Sequence, residues 1–302
     1  MSAPPPWTGM TFTSKLNSSP PASLAPSSQK LPSPFVVAIV GASRNIGAAT
    51  AKAFAQAGAT GLILTGTTKS TDLLETEKEV KAAGTSKDLK VTVLAADLAD
   101  VSSGKLIADA ITSSHGGRLD LLINNAAIVS THESAFNKFD AIDISQIQKT
   151  MNVNFVGKFA TIQALLPLLL KTTDGAKTVI NVTSAMSHFA SMGAIGYNIS
   201  ELACNRLTEV VAEAYGGEGV IAHAVHPGIV ATMPPPIGMA PQARAWAVDD
   251  VGLCGAFLVW LTKERREWLS GRYLSANWDV EELEAKKDAI VGGDQLKMRM
   301  VV

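Results

Sequence analysis

The sequence is poor in cysteine, in aromatic residues and in excess charge of either sign. Its 302 residues include only Cys204 and Cys254, which excludes a multi-disulfide scaffold and a cysteine-rich zinc site. The 26 basic and 27 acidic residues nearly cancel, so no basic surface for nucleic acid is indicated. An aromatic content of 6% argues against a stacking platform for single strands. We therefore expect no nucleic-acid partner.

Long apolar runs and targeting signals are also missing. Gln163 and Pro167 interrupt the apolar stretch at residues 160–170, and residues 253–261 are too short to cross a bilayer. The N-terminus has neither the basic start nor the apolar core of a signal peptide. The five histidines lack the spacing of metal ligands, so we infer no metal site. Because the two thiols are expected to be buried and reduced, we predict a cytoplasmic protein. Because the apolar runs are short or interrupted, we expect no membrane partner.

The chain divides into a short polar head and one long, more apolar region. Residues 1–34 are rich in Pro, Ser and Thr, and they cannot bury enough apolar surface to fold alone. We expect them to be either disordered or laid along the following domain, with Trp7, Phe12 and Leu16 as candidate anchors. Residues 35–302 show no internal repeat and no second domain, so they are predicted to form one unit.

Short apolar runs alternate with helical patterns through residues 35–302. The first run, at 35–40, is continuously apolar, which is typical of a parallel strand covered on both faces. The alternation predicts an α/β protein with a Rossmann-type, doubly wound parallel sheet in a single domain. Ligands of such sheets bind outside the carboxyl ends of the strands. Further strands are predicted at 62–64, 91–95, 119–123, 178–182, 220–225 and 272–274.

Small and polar residues follow the predicted strands at that edge. The turn at 40–47 has small side chains, so its backbone can approach a phosphate at the start of the next helix; a purely structural turn is the alternative. Asp97 follows the third strand, where a carboxylate can accept an adenine amino group or cap a helix. Ser184 follows the fifth strand, and Tyr197 opens a helix thirteen residues later.

These motifs resemble those of the short-chain dehydrogenase/reductase family over residues 35–302. Residues 40–47 match its Thr-Gly-x-x-x-Gly-x-Gly turn, residues 124–127 its Asn-Asn-Ala-Gly, and residues 227–232 its Pro-Gly-x-x-x-Thr. The ending at 271–279 and the Pro-rich head resemble a fungal branch, in which several members serve specialised metabolism. The resemblance implies an oxidoreductase with a nicotinamide cofactor and a small-molecule substrate, assembled as a homodimer or homotetramer.

The resemblance also assigns roles to single residues. It implies that Ser184 holds the substrate oxygen and that Tyr197 is the acid–base residue. Asn154 matches the family's structural Asn, and Glu201 stands where the family has Lys. The residues that the resemblance places against the cofactor are Gly41, Ser43, Arg44, Asn45, Ile46, Gly47, Thr67, Thr68, Asp97, Leu98, Asn125, Ala126, Pro227, Gly228, Val230 and Thr232.

The residues after the second strand bear on the choice of cofactor. An acid at this point favours NAD and a base favours NADP. Residues 64–69 read Leu-Thr-Gly-Thr-Thr-Lys and contain no acid. Arg44 lies inside the glycine-rich turn, where a guanidinium can bind a ribose 2′-phosphate through two hydrogen bonds. We therefore favour NADP over NAD.

Three positions depart from the family pattern. Asn45 and Ala127 replace glycines, and Asn tolerates the left-handed backbone conformation. Glu201 is the larger departure, because the family's Lys lowers the pKa of the Tyr and binds the nicotinamide ribose. An anion keeps Tyr197 protonated at neutral pH, which leaves it able to donate a proton but makes it a poor base. Glu201 could accept a hydrogen bond from a ribose hydroxyl, or it could be neutral if buried.

The segments beside Ser184 and after residue 232 are expected to border the substrate. His188 is either a substitute acid–base group or an ordinary histidine. Residues 233–239 are expected to cover the substrate. Met192, Met233 and Met239 favour an apolar substrate, although Met also fills ordinary packing gaps.

The sequence is compatible with three functions. The first is an NADP-dependent reductase that acts on the carbonyl of an apolar small molecule. The second is a non-redox enzyme on the same scaffold, which catalyses a dehydration, isomerisation or cyclisation. The third is a cofactor-binding protein without catalysis, since a fold does not determine a function.

Overall fold

The core of the molecule is a parallel sheet. A computed structural model describes residues 8–189 and 193–300, and seven strands in these ranges form one sheet in the order β3-β2-β1-β4-β5-β6-β7. Every neighbouring pair is parallel, and the order reverses beside β1, so the predicted Rossmann-type sheet is confirmed. The strands are β1 Val36–Val40, β2 Gly61–Gly66, β3 Lys90–Ala95, β4 Leu121–Asn124, β5 Thr178–Val182, β6 Ile221–His226 and β7 Arg272–Ser275.

Helices cover both faces of the sheet. They are α1 Asn45–Gln56, α2 Thr71–Ala83, α3 Ser103–His115, α4 Ile144–Met151, α5 Lys158–Lys171, α6 Ile195–Tyr215, α7 Leu253–Thr262, α8 Val280–Ala285 and α9 Lys287–Gly292. The first core cluster joins the sheet to α1, α2 and α7, and the second joins it to α3, α5 and α6. In β1, Val37 and Ile39 belong to the first cluster, whereas Val36, Ala38 and Val40 belong to the second. Burial on both faces therefore explains the unbroken apolar run.

The long helical region differs from the sequence prediction at one point. A π-helical segment, Asn152–Gly157, separates α4 from α5. Gly157 allows this segment to approach the end of β3, because a Cβ there would lie 2.8 Å from the Cβ of Leu98. By length and composition alone, Ile144–Lys171 is long and apolar enough to cross a membrane, but half of its most apolar window is buried in the fold. That burial is expected of a helix packed on a sheet.

Residues 8–34, here called the strap, lie along the domain. The indole Nε1 of Trp278 donates a hydrogen bond to the carbonyl of Gly9 (2.9 Å), and the ring of Phe12 packs against the same indole with 5.0 Å between centroids. Leu16 stays half exposed, and Trp7 lies outside the described residues. The strap is therefore held to the part of the chain that follows β7.

Candidate active site

The turn between β1 and α1 is closed too tightly for any residue but glycine at two positions. Gly41 has a φ of +86°, and a Cβ there would lie 2.6 Å from the Cβ of Ala126. A Cβ on Gly47 would overlap the carbonyl oxygen of Gly41 and lie 2.7 Å from Nδ2 of Asn125. That amide donates to the Gly41 carbonyl (2.7 Å) and ties the turn to the loop after β4. The result is a cradle in which backbone can approach a ligand closely.

The start of α1 supplies the other half of this cradle. Asn45 has a φ of +51°, which Asn accommodates better than most residues. No side chain caps this helix end among the described residues, so the first amides, from Asn45 to Gly47, are available to a ligand. Free amides and the positive end of the helix dipole suit an anion. The glycine cradle and the uncapped helix start therefore fit the diphosphate of a dinucleotide.

The corner beside the end of β2 carries positive rather than negative charge. Arg44, Thr67, Thr68 and Lys69 are exposed there. A Cβ built on Gly66 would lie 3.4 Å from the Cβ of Ser43, so the turn that contains Arg44 touches the end of β2. The first acid after the strand is Asp72, in the first turn of α2. Residues 66–70 thus contain no carboxylate to oppose a phosphate.

The two residues of interest after β3, Asp97 and Leu98, differ in their exposure. Asp97 is exposed, and its Oδ1 accepts a hydrogen bond from the amide of Ala99 (3.0 Å) within the turn after β3. It does not cap a helix, because α3 begins at Ser103 and its N-cap residue is Ser102. Leu98 is buried beneath the π-helical segment. The second Oδ of Asp97 has no partner within the part of the chain that the structure describes. It is therefore available to an amino group.

Asn154 connects three elements from inside the π-helical segment. It is fully buried; its Oδ1 accepts from the amide of Ile128 (2.9 Å), while Nδ2 donates to the Ile128 carbonyl (2.9 Å) and to Oγ of Ser200 (3.0 Å). Ser200 donates in turn to the carbonyl of Tyr197 (2.8 Å). The thiol of Cys204 donates to the Asn154 carbonyl (3.1 Å). These bonds fix the loop after β4 relative to the first turns of α6.

Ser184 and Tyr197, which the sequence places thirteen residues apart, meet at the carboxyl edge of the sheet. Ser184 follows β5 and is buried, and its hydroxyl accepts from the amide of Met186 (3.1 Å). Tyr197 lies half-buried in the first turn of α6, and its hydroxyl is near enough to the Ser184 side chain for that side chain to influence its pKa. Burial raises the pKa of Tyr197 far above its usual value; the carboxylate of Glu201 raises it further, and the Ser184 side chain opposes both.

Two histidines flank this pair and are uncharged at neutral pH. Nδ1 of His226 accepts a hydrogen bond from the amide of Ala185 (3.2 Å), which joins the end of β6 to the Ser184 loop. The ring of His188 packs against Tyr273, with 4.4 Å between centroids. Burial lowers the pKa of both His188 and His226 to about 4. A neutral imidazole is a poor proton donor, which argues against His188 as a substitute acid.

The carboxylate that replaces the family's Lys is paired with a buried ammonium. Glu201 is 1% exposed and Lys158 is fully buried, with 3.9 Å between Oε1 and Nζ. Lys158 also donates to the Val182 carbonyl (2.7 Å). Neither oxygen of Glu201 has a hydrogen-bond donor among the described residues. Burial raises the pKa of Glu201 and Lys158 lowers it. Since protein covers the carboxylate, its burial argues against the contact with a ribose hydroxyl that the sequence left open.

Sequence reasoning missed Lys158. It falls on the buried stripe of the helix that carries Asn154, Thr161 and Leu165, at spacings of three and four residues. A lysine at a core position requires a carboxylate or several carbonyl groups, because an unpaired buried charge is costly. That placement is the signal that could have linked Lys158 to Glu201 before the structure was known.

Residues 227–232, the β6 loop, and residues 233–239 complete the edge. Pro227, Gly228 and Val230 are buried, whereas Thr232 is exposed. The segment after them rests on the loop after β4, where Oγ of Ser130 donates to the Ile237 carbonyl (2.6 Å). Met233 and Met239 lie in this cover, and Met192 is outside the described residues.

Comparison with known proteins decides the family. The model of the short chain dehydrogenase family matches residues 35–235. The chain belongs to this family. It is 38% identical to the short chain dehydrogenase pgmD of Aspergillus terreus, over 99% of this chain and 97% of the relative. It is 40% identical to the short chain dehydrogenase mpl6 of Monascus purpureus, over 99% of both chains. The resemblance to a fungal branch is thereby confirmed.

Solved structures agree on the fold. Carveol dehydrogenase from Mycobacterium avium, crystallised in complex with NAD, superposes with a TM-score of 0.69 at 21% identity. The match covers 80% of this chain and 95% of that one. Membership of this family identifies an oxidoreductase, and the solved structure agrees on its fold.

Proposed function

We propose that this protein is an NADPH-dependent reductase that acts on the carbonyl of an apolar small molecule in fungal specialised metabolism. The observation that carries the proposal is the meeting of the Ser184 side chain and the Tyr197 hydroxyl at the sheet edge that also holds the glycine cradle. We also propose a cytoplasmic location, because Cys204 and Cys254 are free and buried.

The side chains at this edge can complete a carbonyl reduction. When bound, the nicotinamide supplies the hydride that forms the new C–H bond. Tyr197 donates its proton to the carbonyl oxygen, and Ser184 donates a hydrogen bond to the same oxygen as charge develops on it. Asn154 positions Tyr197 through Ser200. A proton from bulk solvent then replaces the one that Tyr197 has lost, so the reaction consumes NADPH and one proton and yields the alcohol and NADP⁺.

The protonation state of Tyr197 suits the role of proton donor. Its raised pKa keeps the phenol protonated across the physiological range. A proton donor of high pKa is weaker than the lowered Tyr of the family, so we expect modest turnover. In the family, the Lys also holds the nicotinamide ribose. The buried carboxylate of Glu201 does not take over that contact.

The choice of NADP rests on charge at the end of β2. Arg44 and Lys69 are exposed there, and the adjoining residues 66–70 carry no acid. A 2′-phosphate is recognised best by Arg, whose planar group can donate two parallel hydrogen bonds. NAD would gain nothing from these cations.

Exposed apolar residues support the proposals for the substrate class and for the assembly. Residues 233–239, with Met233, Ile237 and Met239, form a partly exposed cover for an apolar ligand. The family resemblance leads us to propose a homodimer or homotetramer through the long helices. The exposed apolar residues available for it on the π-helical segment, α5 and α6 are Val156, Phe159, Ile199, Leu202 and Val210.

Transfer of deuterium from 4-deuterated NADPH to product tests the function. A panel of aromatic, cyclic and polyketide-like ketones is incubated with the protein, and products are analysed by mass spectrometry. We expect deuterium on the carbinol carbon of at least one alcohol. Tyr197→Phe and Ser184→Ala should each lower kcat by about 100-fold or more, with the Kd for NADPH unchanged.

The same assay separates the alternatives. Conversion of a substrate without consumption of NADPH would instead favour a non-redox enzyme. Tight binding of NADPH with no product from the whole panel would favour a cofactor-binding protein. Either result would contradict the proposal.

A further inference from the structure

Asp249 is a buried carboxylate outside the Ser184–Tyr197 pair. It is 6% exposed and forms no ion pair within residues 8–189 and 193–300. Its Oδ2 accepts from the backbone amide of Ile229 (2.6 Å), and its Oδ1 accepts from Nδ2 of Asn277 (2.9 Å). Because burial of a carboxylate is costly without hydrogen bonds, these two donors determine where the side chain lies.

The backbone of Asp249 holds the same loop. Its amide donates to the Ile229 carbonyl (3.0 Å), and its carbonyl accepts from the amide of Ala231 (3.0 Å), so that Val230 and Asp249 form a short parallel bridge. Gly228 has a φ of +91°, and a Cβ there would lie 2.8 Å from Oδ2 of Asp249. Asp249 therefore sets the path of the β6 loop across residues 228–231.

The strap reaches this cluster from the other side. Nδ2 of Asn277 also donates to the Asn17 carbonyl (3.0 Å), and the Asn17 amide donates to the Asn277 carbonyl (2.7 Å). One residue further along the strap, the carbonyl of Ser18 accepts from the amide of Asp250 (2.7 Å). A continuous set of hydrogen bonds thus runs from the strap through Asn277 and Asp249 to the β6 loop.

We propose that Asp249 is a positioning residue that holds the β6 loop in the shape that receives the nicotinamide end of the cofactor, and that the strap completes this brace through Asn277. The inference rests on the proposed function, since the family resemblance assigns the β6 loop to the nicotinamide. It concerns cofactor binding, which precedes any turnover.

The isosteric variant Asp249→Asn breaks one link of the brace. Its amide oxygen can still accept from Ile229, but its amide nitrogen then faces Nδ2 of Asn277, and two donors cannot bond. We expect the Kd for NADPH to rise about tenfold. Adenosine 2′,5′-bisphosphate, which lacks the nicotinamide, should bind as it does to the wild type. Amide hydrogen exchange at residues 227–232 should become faster without ligand.

A second substitution should rescue this variant. Asn277→Asp, combined with Asp249→Asn, restores a donor opposite an acceptor at the 249–277 contact. We expect the double variant to recover part of the lost NADPH affinity, because the new carboxylate at position 277 accepts from the new amide at position 249 but no longer donates to the Asn17 carbonyl. If Asp249 acted only through general packing, exchanging the donor and the acceptor between residues 249 and 277 would not restore NADPH affinity.

Two substitutions at Asn17 test the part played by the strap. Asn17→Pro removes the amide that donates to the Asn277 carbonyl, whereas Asn17→Ala keeps both backbone hydrogen bonds and serves as the matched control. We expect a severalfold weaker affinity for NADPH and faster exchange at residues 227–232 in Asn17→Pro only. The melting temperature of each variant monitors its fold.

Three results would overturn the inference. These are an unchanged NADPH affinity in Asp249→Asn, an equal loss of affinity for NADPH and the adenosine fragment, or a wild type that binds NADPH no more tightly than the fragment. Absence of turnover on the ketone panel would contradict the proposed function alone, because the binding comparison still decides whether Asp249 braces the loop.

Discussion

The two halves of the candidate site differ in how their chemistry is encoded. In the cofactor half, around Gly41 and Gly47, backbone groups are placed to bind the cofactor diphosphate, and they can approach it because these two residues have no side chain. In the catalytic half, burial and then side-chain charge raise the pKa of Tyr197, and the charge at position 201 has the opposite sign to that of the family's Lys. A scaffold can thus keep its cofactor cradle intact while its acid–base chemistry changes.

The largest effect on cofactor affinity should come from filling the cradle. In Gly47→Ala, the added methyl would overlap the Gly41 carbonyl, so the turn must open. We expect the Kd for NADPH, measured by fluorescence titration, to rise about 100-fold or more. Gly216→Ala is the control, because a Cβ there has no atom within 4 Å among the described residues. Equal affinities in the two variants would contradict the role given to the turn.

The next effect concerns stability of the catalytic half. Glu201→Lys alone would place two ammonium groups together in a buried site, and we expect it to lower the free energy of unfolding by about 3–5 kcal/mol. Adding Lys158→Met should recover much of that loss, as measured by urea denaturation. A single variant as stable as the double variant would show that Lys158 and Glu201 do not interact.

Lys158→Met by itself supplies a control for this pair. It leaves Glu201 without its cation, and the raised pKa of Glu201 lets the carboxyl take up a proton instead. A group with a raised pKa in the folded state stabilises the fold below its unfolded pKa and loses that contribution as pH rises. The destabilisation of Lys158→Met should therefore be smaller at pH 5 than at pH 8.

A smaller effect is expected at the adenosine end. Arg44→Ala should raise the Kd for NADPH about tenfold and leave the Kd for NADH unchanged, because only NADPH carries the 2′-phosphate. Lys87→Ala removes an exposed cation before β3, at the opposite edge of the sheet, and should change neither value. Equal losses for both cofactors in Arg44→Ala would contradict the choice of NADP.

Most of the fold could be predicted from the sequence because its signals are local. Continuous apolar runs marked the strands, and small residues at fixed spacing marked the turn at Gly41 and Gly47. The short helices α8 and α9 and the π-helical segment carry no distinctive period, and they were missed. Lys158 and Asp249 were missed for another reason. Their partners lie 43 and 28 residues away in the chain, at Glu201 and Asn277.

The pH dependence of catalysis in both directions tests the central claim most directly. For a ketone that the protein reduces, kcat/KM is measured from pH 6 to 9, and the same is done for oxidation of the product alcohol. If Tyr197 stays protonated from pH 6 to 9, kcat/KM for reduction should not change with pH. The kcat/KM for oxidation should rise about tenfold per pH unit without a plateau, because oxidation requires Tyr197 to lose its proton first. A fall in reduction and a plateau in oxidation above pH 7 to 8, absent in Tyr197→Phe, would contradict the account by showing that Tyr197 ionises there.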